Sequence, residues 1–168
     1  MRINVNKFLI LMLFIYSSIL VADDKNEYSI NLFCQDLNVI LERVSVHSYN
    51  IANHQTTRTE NGTPFRRKII DHCLHGQCLI SEDQTPPILK YRPGHPDANE
   101  NGFVAYPDFS IDQERAKLIK AQNAYDLVVG NMPISSVNLL VGNKWDECFS
   151  KYIYFKEQFD FKTYLGRK

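Results

Sequence analysis

The residues best suited to chemistry cluster in one short stretch. His72-Cys73-Leu74-His75-Gly76-Gln77-Cys78 places two imidazoles and two thiols within a few residues of each other. Two readings stand for it. His72, Cys73, His75 and Cys78 carry the donor types of a zinc site, but they crowd closer than the usual finger spacing. In an oxidising compartment Cys73 and Cys78 pair more readily as a disulfide. The other two cysteines, Cys34 and Cys148, make the total even, which in an exported chain favours bridges. His95 and Asp97 are spaced as an acid–base pair, yet no nucleophile accompanies them, so no catalytic residue is named. Arg66, Arg67 and Lys68 read as a solvated or subunit-facing patch rather than a phosphate site. Asn61-Gly62-Thr63 matches a glycosylation sequon, and equally a type I′ hairpin turn, the reading preferred here.

The compartment follows from the N-terminus. Arg2 and Lys7 precede an unbroken apolar run, Phe8 to Ile15, and small residues lead to Ala22 before Asp23-Asp24-Lys25. This is the progression of a secretory signal, with cleavage expected after Ala22. The alternative is an uncleaved anchor and transient membrane association through this segment, although the run is short for a span. Lys plus Arg and Asp plus Glu number 19 each among 168 residues. That balance argues against nucleic acid as a partner.

Two helices must hold whatever lies between them. Ile30, Phe33, Leu37, Ile40, Val44, His47 and Ile51 alternate steps of three and four, which predicts a helix over Tyr28–Ala52 with one apolar seam. Ser110 with Gln113 fits a capping box and opens a second helix, whose seam is Leu118, Ala121, Tyr125, Val128 and Met132. Gly130 and Pro133 end it. Between them turn signals separate short strands, Phe65–Ile70, Cys78–Ser81, Ile88–Tyr91 and Phe103–Tyr106. The fold class expected is α+β, with long N- and C-terminal helices packed antiparallel, coiled-coil-like, around a small turn-rich β insertion. Antiparallel packing brings the start of the first helix near the end of the second, so Cys34 and Cys148 are the expected second bridge. The divisions are a signal peptide over 1–22, a helix over 23–53, the insertion over 54–109, the second helix over 110–133 and an aromatic tail over 134–168. A third helix is predicted around Lys144–Phe161.

Several motifs resemble bacterial flagellar rod proteins. Asn50-Ile51-Ala52-Asn53, Thr56-Thr57 and Pro64-Phe65-Arg66-Arg67 look like the front of that family, and Glu82-Asp83-Gln84-Thr85-Pro86-Pro87 continues the match. The block from Tyr91-Arg92-Pro93-Gly94-His95-Pro96-Asp97 through Gly102 to Pro107 resembles the proximal-rod FlgC type. In it Pro93 and Pro96 fix φ and Gly94 admits φ > 0, so a rigid loop is expected. The resemblance spans roughly Ile30 to Met132, with the alanine-and-tyrosine motif at Ala121–Tyr125. It implies a structural protein with no catalysis and no cofactor, working at the basal body with other axial and rod proteins or with itself. The signal, Ser45, Arg115, Asn123, Pro133, the His-Cys stretch and the tail depart from the family pattern. Two functions therefore stand, a rod subunit or paralogue, and a periplasmic accessory or binding protein that keeps the fold without polymerising. A small metalloenzyme is the weakest reading, because no general base or substrate pocket can be named.

Overall fold

The computed structural model describes residues 31–131 together with Cys148 and Ser150. The expected signal segment, Ile30, Met132, Pro133 and the rest of the tail lie outside the described residues. The described chain is mixed α+β: helix α1 (31–52), strands β1 (Lys68–Leu74), β2 (Gln77–Glu82), β3 (Ile88–Tyr91) and β4 (Phe103–Tyr106), then helix α2 (Ile111–Gly130). The strands form two separate antiparallel hairpins, β1–β2 and β3–β4.

The helices form where the three-and-four spacing places them. Leu37, Ile40 and Val44 of α1 are buried, and so are Leu118, Ala121 and Tyr125 of α2. Val44 and Ile51 pack with Leu118 and Ala121, while Leu37 and Ile40 pack with Tyr125 and Cys148, flanked by Phe33 and Val128. Partners thus run in opposite order along the two helices. α2 begins at Ser110, whose hydroxyl accepts from the Gln113 N–H at 3.3 Å, satisfying one orphan donor of the first turn. Its C-terminus falls at Gly130, as expected. Gly130 is the last helical residue, and Asn131 caps it by donating its side-chain amide to Leu127 O at 2.8 Å.

β1 starts later and runs further than its predicted strand. Phe65 donates its N–H to Thr56 O at 3.0 Å, so that stretch pairs with the loop after α1 rather than with β2. The strand then continues to Leu74 because His75 and Gly76 make the tight turn, with φ of 51° and 79°. Positive φ at both central residues is the type I′ signature, and the expected type I′ turn at Asn61-Gly62 is not made. There only Gly62 is left-handed, and Thr59 and Thr63 close a three-residue connection. The hairpin lies along α1: Lys68 bonds Asn50 near one end, and Gly76 sits against Gln35 near the other.

The rigid loop between β3 and β4 is built differently from its expected form. Gly94 does not adopt a left-handed φ and has open space around it. The residue under demand is Gly102, at φ +80°, where a Cβ would stand 2.8 Å from Tyr91 Cε2 and 3.1 Å from Pro93 Cβ. Gly102→Ala is expected to cost about 1–3 kcal/mol, and Gly94→Ala less than about 0.5 kcal/mol. Urea unfolding of the two variants checks this, and equal losses would refute it.

Candidate functional site

The helix pair is closed at one end by a buried polar node. Asn50 and Glu114 are the two buried polar residues of the described core, at 0% and 1% exposure. Asn50, in the last turn of α1, treats the Lys68 backbone as a strand neighbour would. Its Oδ1 accepts from Lys68 N–H at 2.8 Å and its Nδ2 donates to Lys68 O at 2.9 Å. Nδ2 also donates to Glu114 Oε2 at 3.0 Å. One amide thereby ties α1, the start of β1 and the first turn of α2. Asn53 has a simpler role, donating its side-chain amide to Tyr49 O at 2.9 Å at the end of the helix.

Glu114 gathers nitrogen donors from α1, from α2 and from the residue before β1. His47 Nδ1 lies 2.8 Å from Oε2, Lys117 Nζ 3.0 Å and Arg67 Nη1 3.5 Å from Oε1. A carboxylate can only accept, so His47 Nδ1 carries the proton. Burial alone would push the Glu114 pKa up, but hydrogen bonds from His47, Asn50 and Lys117 outweigh it and hold the carboxyl down at about 2. Arg67 also pairs with Asp83 at 2.5 Å and places its guanidinium 5.9 Å from the centre of the Phe109 ring. It is therefore an internal clamp, not the solvated patch expected of it. Neighbouring Arg66 is exposed and reaches Asp83 O at 3.2 Å, and Lys68 bridges to Glu82 across the strands at 2.6 Å.

The motif loops are latched in the same manner. Thr57 Oγ1 donates to Asp97 Oδ2 at 2.7 Å, and Arg58 pairs with Asp97 Oδ1 at 3.3 Å. Thr56 N–H donates to Asn53 O at 3.0 Å and Thr56 Oγ1 to Asn53 Oδ1 at 3.1 Å, closing the turn after α1. His95 Nδ1 accepts the Asp97 N–H at 3.1 Å and stands 4.0 Å from the Asp97 carboxylate. An Nδ1 that accepts cannot also donate to the carboxylate, so the orientation of a His–Asp base is not formed. Pro86 and Pro87 sit exposed on the connection from β2 to β3. Ala52 is exposed at the end of α1, and Pro93, Gly94 and Pro96 are exposed in the β3–β4 loop.

Cys73 and Cys78 are register partners across β1–β2, with Cα atoms 4.0 Å apart. Cys34 and Cys148 lie with Cα atoms 5.8 Å apart, Cys148 buried against Leu37, Ile40 and Tyr125. Both pairs are at disulfide-bonding distance. His72 alternates with Cys73 along β1 and so faces away from the Cys73–Cys78 pair. His75 occupies the turn, and among the described residues no group of three or more His, Cys, Asp or Glu is gathered as a metal would need. Two shallow cavities, about 220 and 210 Å³, flank Phe109. Catalytic chemistry has no visible seat among these groups. The arrangement suits a rigid scaffold whose outer faces meet neighbours.

Of this site, His47 was legible only as a seam residue, and Glu114 and Lys117 carried no sequence signal beyond lying on α2. A carboxylate at the position where the seam predicts an apolar residue, four before Leu118, was the available clue.

No family model matches the chain. It is similar to three curated flagellar basal-body rod proteins FlgC. That of Borreliella burgdorferi is 31% identical over 125 residues, covering 58% of this chain and 82% of the relative. That of Bacillus subtilis is 28% identical over 131 residues, covering 62% and 87%. That of Salmonella typhimurium is 29% identical over 94 residues, covering 50% and 70%. Relatives of this identity and span, on a helix pair that frames two small hairpins, mean that the chain belongs to the FlgC family of flagellar basal-body rod proteins.

Proposed function

We propose that the protein is a structural subunit of the bacterial flagellar basal-body rod, a non-enzymatic, divergent paralogue exported by its N-terminal signal and working on the periplasmic side. The observation that carries this reading is the similarity to the FlgC proteins over most of their length. The opposite order of partners along α1 and α2 supports an antiparallel, coiled-coil-like arm. Such an arm leaves an outer face for other rod proteins, and stacking of identical or related arms makes an open, heterologous assembly. Cysteines at bonding distance suit an oxidising compartment. The divisions at 22, 53, 109 and 133 and the cleavage after Ala22 belong to the same reading.

One feature favours the accessory reading. Arg115 is exposed on α2, with Asp112 at 3.3 Å as its ion-pair partner among the described residues, and taking such a charge out of water into a subunit interface is costly. Deleting the gene separates the two. A rod subunit predicts non-motile cells without filaments, restored by the gene in trans. Normal swimming with unchanged basal bodies would reject the rod reading. Arg115→Leu adds a second readout, because only an assembling subunit should gain self-association in sedimentation.

A further inference from the structure

The β3–β4 hairpin has one edge covered at Phe103 by Asn99 and one edge open along its length. Arg92 N–H donates to Gly102 O at 2.8 Å, so that rung is a hydrogen-bonded pair. Alternation along an antiparallel ladder makes Lys90–Val104 and Ile88–Tyr106 rungs of the same kind. Leu89, Tyr91 and Phe103 occupy the rungs between and turn their backbone groups away from the partner strand. On the β4 side Asn99 covers them. Phe103 N–H donates to Asn99 Oδ1 at 2.9 Å, and Asn99 N–H to Phe103 O at 2.8 Å. On the β3 side, the N–H and C=O groups of Leu89 and Tyr91 meet no protein group among the described residues, and every residue of β3 is exposed.

The side chains along that edge are sorted by face. Leu89 and Tyr91 are 62% and 66% exposed and continue into Phe103, at 38%, to make one apolar face. Lys90 and Arg92 stand on the other face, 4.8 and 6.0 Å from the centre of the Tyr106 ring. Neither has a carboxylate within ion-pair distance among the described residues. Asp108, on the rim of the same cavity, pairs with neither.

We propose that the open edge of β3 docks an extended segment of another protein in which apolar side chains alternate with carboxylates. Such a segment extends the sheet through the free groups of Leu89 and Tyr91. Its apolar side chains cover the Leu89–Tyr91 face and its carboxylates meet Lys90 and Arg92. A cation on an edge strand is a common guard against self-pairing. Here two copies joined β3 to β3 would set Lys90 and Arg92 against their equals, which is unfavourable. The same charges admit an acidic partner.

The test uses the full chain and two blocked peptides, one alternating valine with glutamate, the other valine with lysine. The glutamate peptide should slow hydrogen exchange at the Leu89 and Tyr91 amides and bind at least about tenfold more tightly than the lysine peptide at low salt. Leu89→Pro removes an outward N–H without touching the β3–β4 ladder and should weaken binding about tenfold. Leu89→Ala, which keeps the N–H, should weaken it less than about threefold. Equal binding of the two peptides, or a proline variant that binds as well as the alanine one, overturns the proposal. Protection of both amides in the free chain also overturns it. If that protection is independent of concentration, the chain's own tail holds the edge; if it grows with concentration, a second copy does.

Discussion

Replacing Glu114 with alanine is expected to destabilise the protein by about 3–5 kcal/mol, the cost of breaking a hydrogen-bonded ion-pair network at its buried carboxylate. His47, Lys117 and Arg67 converge on its carboxylate from α1, α2 and the approach to β1, and Asn50 donates to it as well. Should the alanine variant fail to fold, Glu114→Gln keeps the test open, since the amide keeps the shape and one accepting oxygen while it loses the charge and turns the other oxygen into a donor. The pH dependence then has a defined sign. The folded carboxyl is held down at about 2, below the ordinary 4.5 of a glutamate. A lowered carboxylate pKa gives stability that is fully present above the unfolded value and is lost as pH falls through the folded one. The margin of wild type over Glu114→Gln should therefore be largest near pH 7, shrink from about pH 4.5 downward and be nearly gone at pH 2, a change of about 3 kcal/mol. Glu82 and Asp83 are lowered too, by Lys68 and by Thr85 respectively; Glu82 has no partner in common with Glu114 and cancels in the difference, whereas Asp83 shares Arg67 with it. Urea unfolding of wild type and variant between pH 7 and pH 2 measures that margin. A margin that does not change with pH would show that the node is held by shape rather than charge.

How much of this was legible depends on whether a signal was local. The seams of both helices read directly from spacing, because an amphipathic stripe encodes its own partner face. Ile88–Tyr91 and Phe103–Tyr106 fall where their turn-bounded patterns put them. What did not read was anything that depends on a distant partner. Phe65 looks like a strand residue, but its backbone is claimed by Thr56 and its ring by Tyr49 and Phe109. His75-Gly76 was hidden because the cysteines and histidines around it suggested chemistry, although histidine in a left-handed turn is a recognised if uncommon choice. Arg67 reads as a solvated or subunit-facing patch and Asn50 only as part of a family motif, because nothing local shows that β1 packs along α1. Gly94 and Gly102 both follow turn signals, and what distinguishes them is the left-handed φ of Gly102 and the close approach of Tyr91 and Pro93 to it.

The largest single stabilising element should be the bridge between Cys34 and Cys148. It joins residues 114 positions apart, and closing a loop of that length restricts the unfolded chain by about 5 kcal/mol in the chain-entropy model. The Cys73–Cys78 bridge spans 5 positions across a turn already fixed by positive φ at His75 and Gly76, and the same model gives it about 2 kcal/mol. Alanine at both Cys34 and Cys148 avoids leaving a free thiol, and is expected to lower the melting temperature by about 15–25 °C. Alanine at both Cys73 and Cys78 should lower it by less than about 10 °C. Calorimetry of the two double variants, with oxidised wild type as reference, gives the ranking. Adding reductant to wild type should reproduce the larger loss and leave the Cys34/Cys148 double variant with only the smaller one. An equal loss in both variants, or the greater loss at Cys73 and Cys78, would mean that the long bridge does not form. Because Cys148 is buried against Leu37, Ile40 and Tyr125, its sulfur also fills the end of the core where the seam of α1 meets the last turns of α2. The bridge therefore acts at the end of the helix pair opposite the one that Glu114 and Asn50 close.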